Sequence, residues 1–405
     1  MTKLRLAIVS THPIQYYAPL FRALASNQDV VPCVFYTWSQ SAAGRQFDPG
    51  FGGSVQWDIP LLDGYQYEFV DNVAKRPSSS HFRGIVNPSL ISTIESWGAE
   101  AILIYGWSLS SHLRAMRHFK GKIPVFFRGD STLLDHNSIW RNALRRAFLT
   151  WVYRHVDVAF AVGRNSADYF RWCGVPESRV VLAPHSVDNE RFTDLSGASD
   201  AQAALWREQL GIPTHALVLL FAAKFISKKD PLLLLDAFFG TADDVHLVFV
   251  GSGPLESELR GRAAGRNNIH FMPMQNQRAM PAVYRLGDVF VLPSRSETWG
   301  LAMNEAMASG RCVIAGSKVG GARDLIDPGT NGWVFESGQR DDLRRALRLA
   351  RTVGSAALRR MGLAARLSIA DWSTDVAAKK IAESLTRFRR PGQVAPYRRR
   401  GPRAS

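Results

Sequence analysis

Short apolar segments alternate with longer mixed segments along most of the chain. Each apolar segment in the first half has four to seven residues, and the stretches between them mix polar and apolar residues. Runs of this length are typical of strands buried on both faces of a parallel sheet, and the mixed stretches suit helices. The first half is therefore predicted to contain strands at 4–10, 30–36, 101–105, 124–127 and 156–162.

The same alternation returns in the second half, from residue 217 to residue 334. A polar stretch of small residues, 194–202, lies between the halves and is predicted to be a linker. Repeated βα units predict a doubly wound parallel sheet in each half. We therefore expect an α/β protein with two facing Rossmann-like domains. Ligands of such sheets bind beyond the carboxyl ends of the strands, which places a site in the cleft between the domains.

Length and composition agree with two domains. The chain has 405 residues, of which 46% are hydrophobic, and this exceeds what one core usually holds. The predicted divisions are a first domain at 1–195, a second domain at 204–370, a C-terminal helix at 371–387 and a basic, disordered tail at 388–405.

The segment 294–310 is the most informative part of the sequence. It follows a predicted strand at 288–292 that Pro293 ends, and it contains a turn at Gly300 from which a helix is expected to start. The first N–H groups of a helix have no partner within it, and the positive end of its dipole lies there. A diphosphate can therefore bind at Gly300 and Leu301.

Two carboxylates flank this predicted helix start. Glu297 precedes the helix and can accept hydrogen bonds from sugar hydroxyls, whereas Glu305, over a turn inside, can reach the diol of a ribose. Thr298 and Gly251, the latter in a strand-to-helix turn, complete the predicted donor-binding set. The alternative for the two carboxylates is structural, since Glu297 can cap the helix and Glu305 can form a surface ion pair.

Two lysines follow the predicted strand at 217–223. Lys224 comes directly after it, and Lys229 lies five positions later. Two cations at the carboxyl end of a strand can neutralise the growing charge of a leaving diphosphate without a metal. The alternative is a pair of solvated lysines in a βα loop.

Together these segments resemble the retaining glycosyltransferases of family 4. The shared features in 294–310 are two glutamates separated by seven residues, a Trp-Gly-Leu turn, and a helix with the pattern Glu-Ala-Met-Ala-x-Gly. Lys224 and Lys229 match two cationic positions of the family, and the stretches 183–192 and 319–326 match two further motifs. The resemblance covers roughly residues 4–387 and is stronger in the second half.

The resemblance implies a GT-B fold and transfer of a hexose from a nucleotide-diphosphate sugar with retention at the anomeric carbon. The leaving diphosphate would accept the acceptor's proton, so no enzymic base, metal or cofactor is expected. Glu297, Lys224 and Lys229 are the expected catalytic residues. The acceptor would be a saccharide or a lipid-linked saccharide in cell-surface polysaccharide or glycolipid synthesis. The family's last helices often cross back to the first domain, which singles out 372–387 here.

The sequence departs from the family pattern at several positions. His185 and Ser186 replace Asn-Gly, and Lys224 stands where Arg is more common and so lacks a bidentate geometry. Asp324 replaces a Glu, and Pro273 stands near the expected base site where Gly is usual. The nucleotide base is therefore left open.

The first half contains the candidates for acceptor binding. A bulky loop at 10–19 replaces the family's Gly-rich turn, and its His12 and Gln15 are candidates to face the cleft. Arg128 and Asp130 follow the strand at 124–127, where many relatives have a His. An Arg cannot act as a base, so in the cleft Arg128 would bind a phosphate or an acidic acceptor. The alternatives are a surface role for His12 and a structural pair between Arg128 and Asp130.

The formal net charge of +15 adds a question about partners. The tail has seven Arg from position 387 onward, and the stretch 141–154 combines Arg with aromatic residues at helical spacing. This stretch either lies on an anionic membrane surface or packs its aromatic face in the core with a basic outer face, which we favour. No nucleic-acid-binding motif accompanies the charge, so no specific nucleic acid is expected.

Location is inferred from the cysteines and from the first residues. Cys33, Cys173 and Cys312 are far apart, which argues against a paired redox or zinc motif and favours reduced thiols. The apolar run 4–9 is short and contains Arg5, so it reads as a strand and not as a signal peptide. We expect a cytoplasmic protein, with peripheral attachment to the inner face of the cell membrane left open.

Two other functions are compatible with the sequence. A nucleotide-sugar epimerase or hydrolase shares the fold and would release sugar or nucleotide without an acceptor, although the spacing of Glu297 and Glu305 disfavours it. A non-catalytic protein could instead bind anionic membrane or nucleic acid through its basic surface. Such a protein would tolerate changes at Glu297, Lys224 and Lys229.

Overall fold

The computed structural model describes residues 3–43, 46–48, 53–135, 139–241 and 244–389. Within them the chain forms a sheet of seven strands, a sheet of six strands and a small ribbon of two antiparallel strands. All pairings within the two larger sheets are parallel. The α/β fold class predicted from the apolar pattern is therefore confirmed.

The seven-stranded sheet belongs to the first half and has the order β5-β2-β1-β6-β7-β8-β9. The strands of this half are β1 (Leu4–Ser10), β2 (Val30–Tyr36), β3 (Gln46–Asp48), β4 (Gly53–Val55), β5 (Gln66–Phe69), β6 (Ala101–Tyr105), β7 (Val125–Gly129), β8 (Val158–Ala161) and β9 (Val180–Leu182). Its helices are α1 (Ala18–Ala25), α2 (Leu90–Trp97), α3 (Ser110–Phe119), α4 (Ile139–Tyr153) and α5 (Arg164–Trp172). The next two helices, α6 (Asn189–Thr193) and α7 (Ala198–Gln209), pack against helices of the second half.

The six-stranded sheet has the order β12-β11-β10-β13-β14-β15. Its strands are β10 (Leu217–Ala222), β11 (Val245–Val250), β12 (Ile269–Met272), β13 (Val289–Leu292), β14 (Cys312–Gly316) and β15 (Gly332–Phe335). The helices are α8 (Pro231–Phe238), α9 (Glu256–Arg262), α10 (Met280–Leu286), α11 (Leu301–Ala308), α12 (Ala322–Leu325), α13 (Arg340–Ile369) and α14 (Thr374–Arg389). The strand order reverses between β10 and β13, so their carboxyl ends border a crevice where ligands of such sheets bind.

Each sheet is covered on both faces by apolar side chains. In the first half, alternate residues of β1 such as Ala7 and Ile8 join two different clusters of buried residues. In the second half, Leu219 and Leu220 of β10 do the same. Burial on both faces explains why these strands are nearly continuous apolar runs in the sequence.

The last helix, α14, packs against the first domain. It contacts α1 and β9, and its buried residues share a cluster with β1. Those residues are Ala377, Ala378, Ile381, Ala382 and Leu385. The preceding helix, α13, packs on the second domain against α8 and α11 and is interrupted at Gly354, whose φ and ψ are 75° and 164°.

The predicted linker is partly helical, because α7 begins at Ala198 inside the stretch 194–202. The carboxylate of Asp194 accepts hydrogen bonds from Ser196 and Ser199 just before and within the first turn of this helix. Asp and Ser favour linkers and helix starts for the same reason, since their side chains bind nearby backbone N–H groups. The composition of this stretch therefore does not distinguish a linker from a helix start.

The basic stretch 141–154 forms most of α4. Leu149 and Val152 are buried, whereas Leu144 and Phe148 are 78% and 45% exposed beside exposed arginines. The outer face of α4 is therefore both basic and partly apolar. The tail from residue 390 onward lies outside the described residues. No helix in the described ranges is long and apolar enough to cross a membrane.

Candidate active site

A cavity of about 510 Å³ opens between the two domains at the carboxyl ends of β10, β11 and β13. Ten of the twelve site residues predicted from the sequence line it. From the second domain these are Lys224, Lys229, Gly251, Glu297, Thr298, Gly300, Leu301 and Glu305, and from the first domain they are Gln15 and Asp130. The topology brings them together because they follow neighbouring parallel strands or face those strands across the cleft.

Gly300 sets the direction of helix α11. Its φ of 94° lies in the left-handed region, and a Cβ at this position would come within 2.7 Å of a methyl group of Val319. Only glycine adopts this conformation without strain. The helix that follows is held by its buried residues Met303, Ala306 and Met307, so its N-terminal end is fixed at the cavity.

Glu297 is held by its backbone as well as by its side chain. Its N–H donates to the carbonyl of Lys318 at 3.0 Å, and its own carbonyl accepts from the N–H of Gly320 at 3.0 Å. The carboxylate oxygen Oε1 accepts from the hydroxyl of Ser294 at 3.1 Å and from the ammonium group of Lys229. The structural alternative for Glu297 was a cap on the helix start. No hydrogen bond of this kind is found among the described residues.

Lys229 and Glu297 form an ion pair in which both side chains are largely shielded. Their side chains are 22% and 11% exposed. Lys224 lies at the end of β10 on the same wall of the cavity and is half-buried. The two lysines thus supply a positive charge where the helix α11 also presents its positive end. This arrangement suits an anionic group such as a diphosphate.

Glu305 is the most deeply buried carboxylate at the site, with 2% of its surface exposed. Its Oε2 accepts a hydrogen bond of 2.5 Å from the hydroxyl of Tyr284, while Oε1 is buried and finds no hydrogen-bond donor among the described residues. Burial raises the pKa of Glu305 to about 7, against the opposing effects of Tyr284 and Arg191. An oxygen in this state can accept a hydrogen bond from a hydroxyl group that enters the cavity.

The domains are joined beside the cavity by polar contacts. Asp130 accepts a hydrogen bond of 2.7 Å from the hydroxyl of Thr298. Asp324, which replaces the family's Glu, is nearly buried and accepts from both the backbone N–H and the Nε of Arg164, at 3.0 and 2.9 Å. Asn165 donates to the carbonyl of Gly320 at 2.8 Å. Asp324 therefore connects the domains across the start of helix α5.

Arg128 does not line the cavity, contrary to the prediction. It is 3% exposed, and its guanidinium donates to the carbonyls of Ala183 and Pro184 at 2.7 and 2.9 Å. A planar fork suits two neighbouring carbonyls, and this contact holds the segment after β9 in place. The alternative pairing with Asp130 is not found either, since Thr298 is the described partner of that carboxylate.

His12 also lies outside the lining of the cavity. Its Nδ1 makes a hydrogen bond of 2.9 Å with the hydroxyl of Thr11, and its ring packs edge-on against Trp38 with the ring centres 5.5 Å apart. Burial lowers its pKa to about 4, so the ring is neutral near neutral pH. The loop turns Gln15 toward the cavity instead.

His185 is a site residue that the sequence analysis did not select. Its ring lies in the lining between the rings of Tyr17 and Trp299, at centre-to-centre distances of 6.5 and 5.9 Å. Its carbonyl accepts from the side chain of Asn304, whose oxygen accepts from the indole N–H of Trp299. Burial and the nearby Arg128 lower the pKa of His185 to about 3. The change from Asn in the family motif was the available signal.

Other lining residues come from loops without a recognisable pattern. Trp57 lies in a loop of the first domain that reaches the second, where Asn276 donates to the carbonyl of Gln56 at 2.7 Å and the N–H of Arg278 donates to Asp58 at 3.0 Å. These contacts close one end of the cavity. Within the part of the chain that the structure describes, no three His, Cys, Asp or Glu side chains are grouped to hold a metal ion.

Comparison with known sequences finds a family match in the second domain. Residues 202–366 match the family described as "Glycosyl transferases group 1". The chain is 35% identical over 200 residues to a D-inositol 3-phosphate glycosyltransferase of Geodermatophilus obscurus, covering 46% of this chain and 42% of that protein. It is 34% identical over 148 residues to the D-rhamnosyltransferase WbpZ of Pseudomonas aeruginosa, covering 35% and 37%. The chain thus spans less than half the length of these relatives.

Solved structures extend the likeness to the whole fold. The Anabaena protein Alr3699/HepE, crystallised with UDP and glucose, has a TM-score of 0.68 at 17% identity and covers 95% of this chain and 99% of its own. WaaG, a glycosyltransferase involved in lipopolysaccharide biosynthesis, has a TM-score of 0.65 at 15% identity, with coverages of 94% and 99%. The protein therefore has the GT-B fold. The resemblance to the group 1 glycosyltransferases is confirmed, with the sequence match lying in the second domain.

Proposed function

We propose that the protein is a retaining, metal-independent hexosyltransferase that uses a nucleotide-diphosphate sugar. The observation that carries this proposal is the convergence of Glu297, Glu305, Lys224 and Lys229 on one interdomain cavity. These residues come from two separate segments of the second domain, 224–229 and 294–310. Their arrangement favours a transferase over an epimerase, a hydrolase or a basic binding protein. The names of the relatives support transfer of a sugar.

Each part of the donor has a matching part of the cavity. The ribose diol would donate to Oε1 of Glu305, the buried oxygen without a described partner. The diphosphate would lie at the N–H groups that begin α11, next to Lys224 and Lys229. The sugar would then lie near Glu297, whose carboxylate accepts hydrogen bonds from its hydroxyls.

Binding of the donor would rearrange the ion pair between Lys229 and Glu297. The diphosphate carries more negative charge than a single carboxylate, so it would compete for the ammonium group of Lys229. Glu297 would then be available to hold the sugar. As the bond between the anomeric carbon and the phosphate oxygen breaks, Lys224, Lys229 and the helix start would stabilise the charge on the leaving diphosphate.

The acceptor would enter from the side of the first domain. Its oxygen would form the new bond on the face that the diphosphate leaves, and its proton would pass to a phosphate oxygen. Gln15 and Asp130 line that side, together with the neutral ring of His185. We propose a saccharide or lipid-linked saccharide as the acceptor, in synthesis of a surface polysaccharide or glycolipid. The basic and partly apolar outer face of α4 supports peripheral contact with an anionic membrane.

The first test is a binding panel of UDP, GDP and ADP with their common sugar conjugates, measured by thermal shift in buffer that contains EDTA. We expect one nucleotide series to raise the melting temperature in EDTA. The shift should shrink in Glu305→Ala and persist in Glu258→Ala, which alters an exposed carboxylate on α9. Transfer by the selected donor, followed by NMR of the anomeric proton in the product, then tests retention. No shift with any nucleotide, or an inverted product, would contradict the proposal.

A further inference from the structure

A second cavity of about 410 Å³ lies on the other side of the second domain and shares no lining residue with the first. It is bordered by the turn before α7, the loop between α11 and β14, and the part of α13 that follows Gly354. Its charged lining residues are Asp194, Asp200, Arg285, Asp288, Arg311, Arg359 and Arg366. Its volume is within the range of small-molecule sites.

Two of the three carboxylates in this lining are engaged elsewhere. Asp288 accepts from Nη2 of Arg207 at 3.1 Å and from the N–H of Val218 at 2.8 Å. Asp194 accepts from Ser196 and Ser199, and these hydrogen bonds hold its pKa well below the ordinary value. Asp288 therefore has a cationic partner, whereas Asp194 is stabilised by neutral donors and keeps its negative charge.

The third carboxylate, Asp200, is 61% exposed and balances two arginines only loosely. It lies 3.3 Å from Nε of Arg285 and 3.7 Å from Nη2 of Arg311. Arg285 needs no further partner, because its guanidinium also donates to the carbonyls of Phe192, Thr193 and Pro281. Arg285 therefore supports the wall of the cavity.

Three arginines of the lining have at most a loose carboxylate partner. Nε of Arg311 is fully buried and has no hydrogen-bond partner among the described residues. Arg359 and Arg366 also line this cavity, and neither makes an ion pair within the described part of the chain. Arg311 is shielded enough that burial lowers its pKa, which indicates that an anion beside it would be bound in a poorly solvated place.

The backbone around the cavity favours an anion as well. The kink at Gly354 makes Ser355 the first residue of a second helical segment that runs to Ile369, so the positive end of its dipole faces the lining. At the C-terminal end of α11, which also borders the cavity, the N–H groups of Ser309, Gly310 and Arg311 donate to the last carbonyls, so these carbonyls are already hydrogen-bonded. The cavity thus combines three arginines with a helix start.

We propose that this second cavity binds a phosphate monoester. Arg311, Arg359 and Arg366 would bind the phosphate oxygens through the forked donors that suit this geometry, and the hydroxyl of Ser355 would donate one more hydrogen bond. The remaining volume accommodates the organic part of the molecule. This site does not depend on the reaction in the first cavity.

Isothermal titration calorimetry with inorganic phosphate and with glucose 6-phosphate tests the proposal at low salt. The double variant Arg359→Ala/Arg366→Ala should bind at least about tenfold more weakly than the wild type, since it loses two charge-assisted contacts. Arg360→Ala is the matched control, because it removes the same charge from the neighbouring position of α13, outside the lining. Its affinity should stay within about twofold of the wild type.

A further variant separates the two cavities. Lys229→Ala alters the first cavity only, so phosphate binding to the second should persist in it. The proposal would be overturned if the wild type bound no phosphate, or if Arg360→Ala weakened phosphate binding as much as the double variant does. It would also be overturned if Lys229→Ala abolished phosphate binding while the double variant retained it. Sedimentation with vesicles of phosphatidylcholine with or without phosphatidate identifies the source. Binding to phosphatidate vesicles that the double variant loses assigns the phosphate to a lipid headgroup, and binding of soluble glucose 6-phosphate assigns it to a metabolite.

Discussion

Replacing Glu305 by Gln tests whether burial controls the charge of this carboxylate. Glutamine keeps the size of the side chain and can still accept the hydrogen bond of Tyr284, but it does not ionise in this range. The substitution therefore removes a titrating group from a place that is 2% exposed while disturbing the packing little. The pH dependence of stability should change in a defined direction.

The magnitude follows from the shift in pKa. Burial raises the pKa of Glu305 from 4.5 to about 7. One pKa unit corresponds to about 1.4 kcal/mol, so ionising this group in the folded protein costs about 3 kcal/mol more than in the unfolded chain. Because the folded pKa is the higher one, the stabilising contribution is fully present below pH 4.5 and is lost as the pH rises through about 7.

The wild type should therefore lose stability relative to Glu305→Gln as the pH increases. Urea unfolding followed by tryptophan fluorescence, at a series of pH values from about 4.5 to about 8, should give a difference in the free energy of unfolding that changes by about 2–3 kcal/mol in favour of the variant. Glu258→Gln, at an exposed site, should run parallel to the wild type. Parallel profiles for the wild type and Glu305→Gln would refute the inference that Glu305 is buried with a raised pKa.

Three further predictions concern other parts of the first cavity and its surroundings. Lys229→Ala should lower kcat/KM about 100-fold or more by removing a charge that stabilises the leaving diphosphate, whereas the exposed Lys379→Ala should not, as measured by initial rates. Gly300→Ala should lower the free energy of unfolding by about 1–3 kcal/mol, because it places a Cβ in the left-handed region against Val319, and urea unfolding measures this. Arg128→Lys should lose the fork to two carbonyls and destabilise the fold by about 1–3 kcal/mol without weakening donor binding, so a donor affinity that falls while stability holds would place Arg128 in the cavity after all.

The sequence predicts the strands of the sheets well where burial is complete. The runs at 4–10 and 30–36 coincide with β1 and β2, because a strand covered on both faces is apolar at most positions. The short edge strands β5 and β9 were not predicted. β5 is mostly exposed and β9 is only partly buried, so neither has an apolar run that would distinguish it from a loop.

The position of a site residue along the chain is easier to predict than the direction of its side chain. Lys229 lies in the segment that follows β10, and Glu297 and Glu305 lie in the segment that follows β13. The carboxyl ends of both strands border the crevice, so all three residues line the cavity. Arg128 also ends such a strand, yet its side chain turns to the carbonyls of the segment after β9. The direction of a side chain depends on contacts with segments that are distant in sequence. His185 is a second example, because the sequence shows its place in a motif but not that its ring faces the cavity.

Two carboxylates of the segment 294–310, Glu297 and Glu305, lie in very different electrostatic surroundings. Glu297 lies beside a cation, Lys229, and two further contacts fix its backbone. Glu305 has a tyrosine hydroxyl on one oxygen and only burial around the other, so its charge is costly near neutral pH. A ligand hydroxyl that donates a hydrogen bond to Glu305 would lower the cost of ionising this carboxylate. A negative group on the same ligand would compete with Glu297 for the ammonium group of Lys229. A nucleotide sugar carries both groups, which is why the pair of sites favours it over a simple sugar or a simple phosphate.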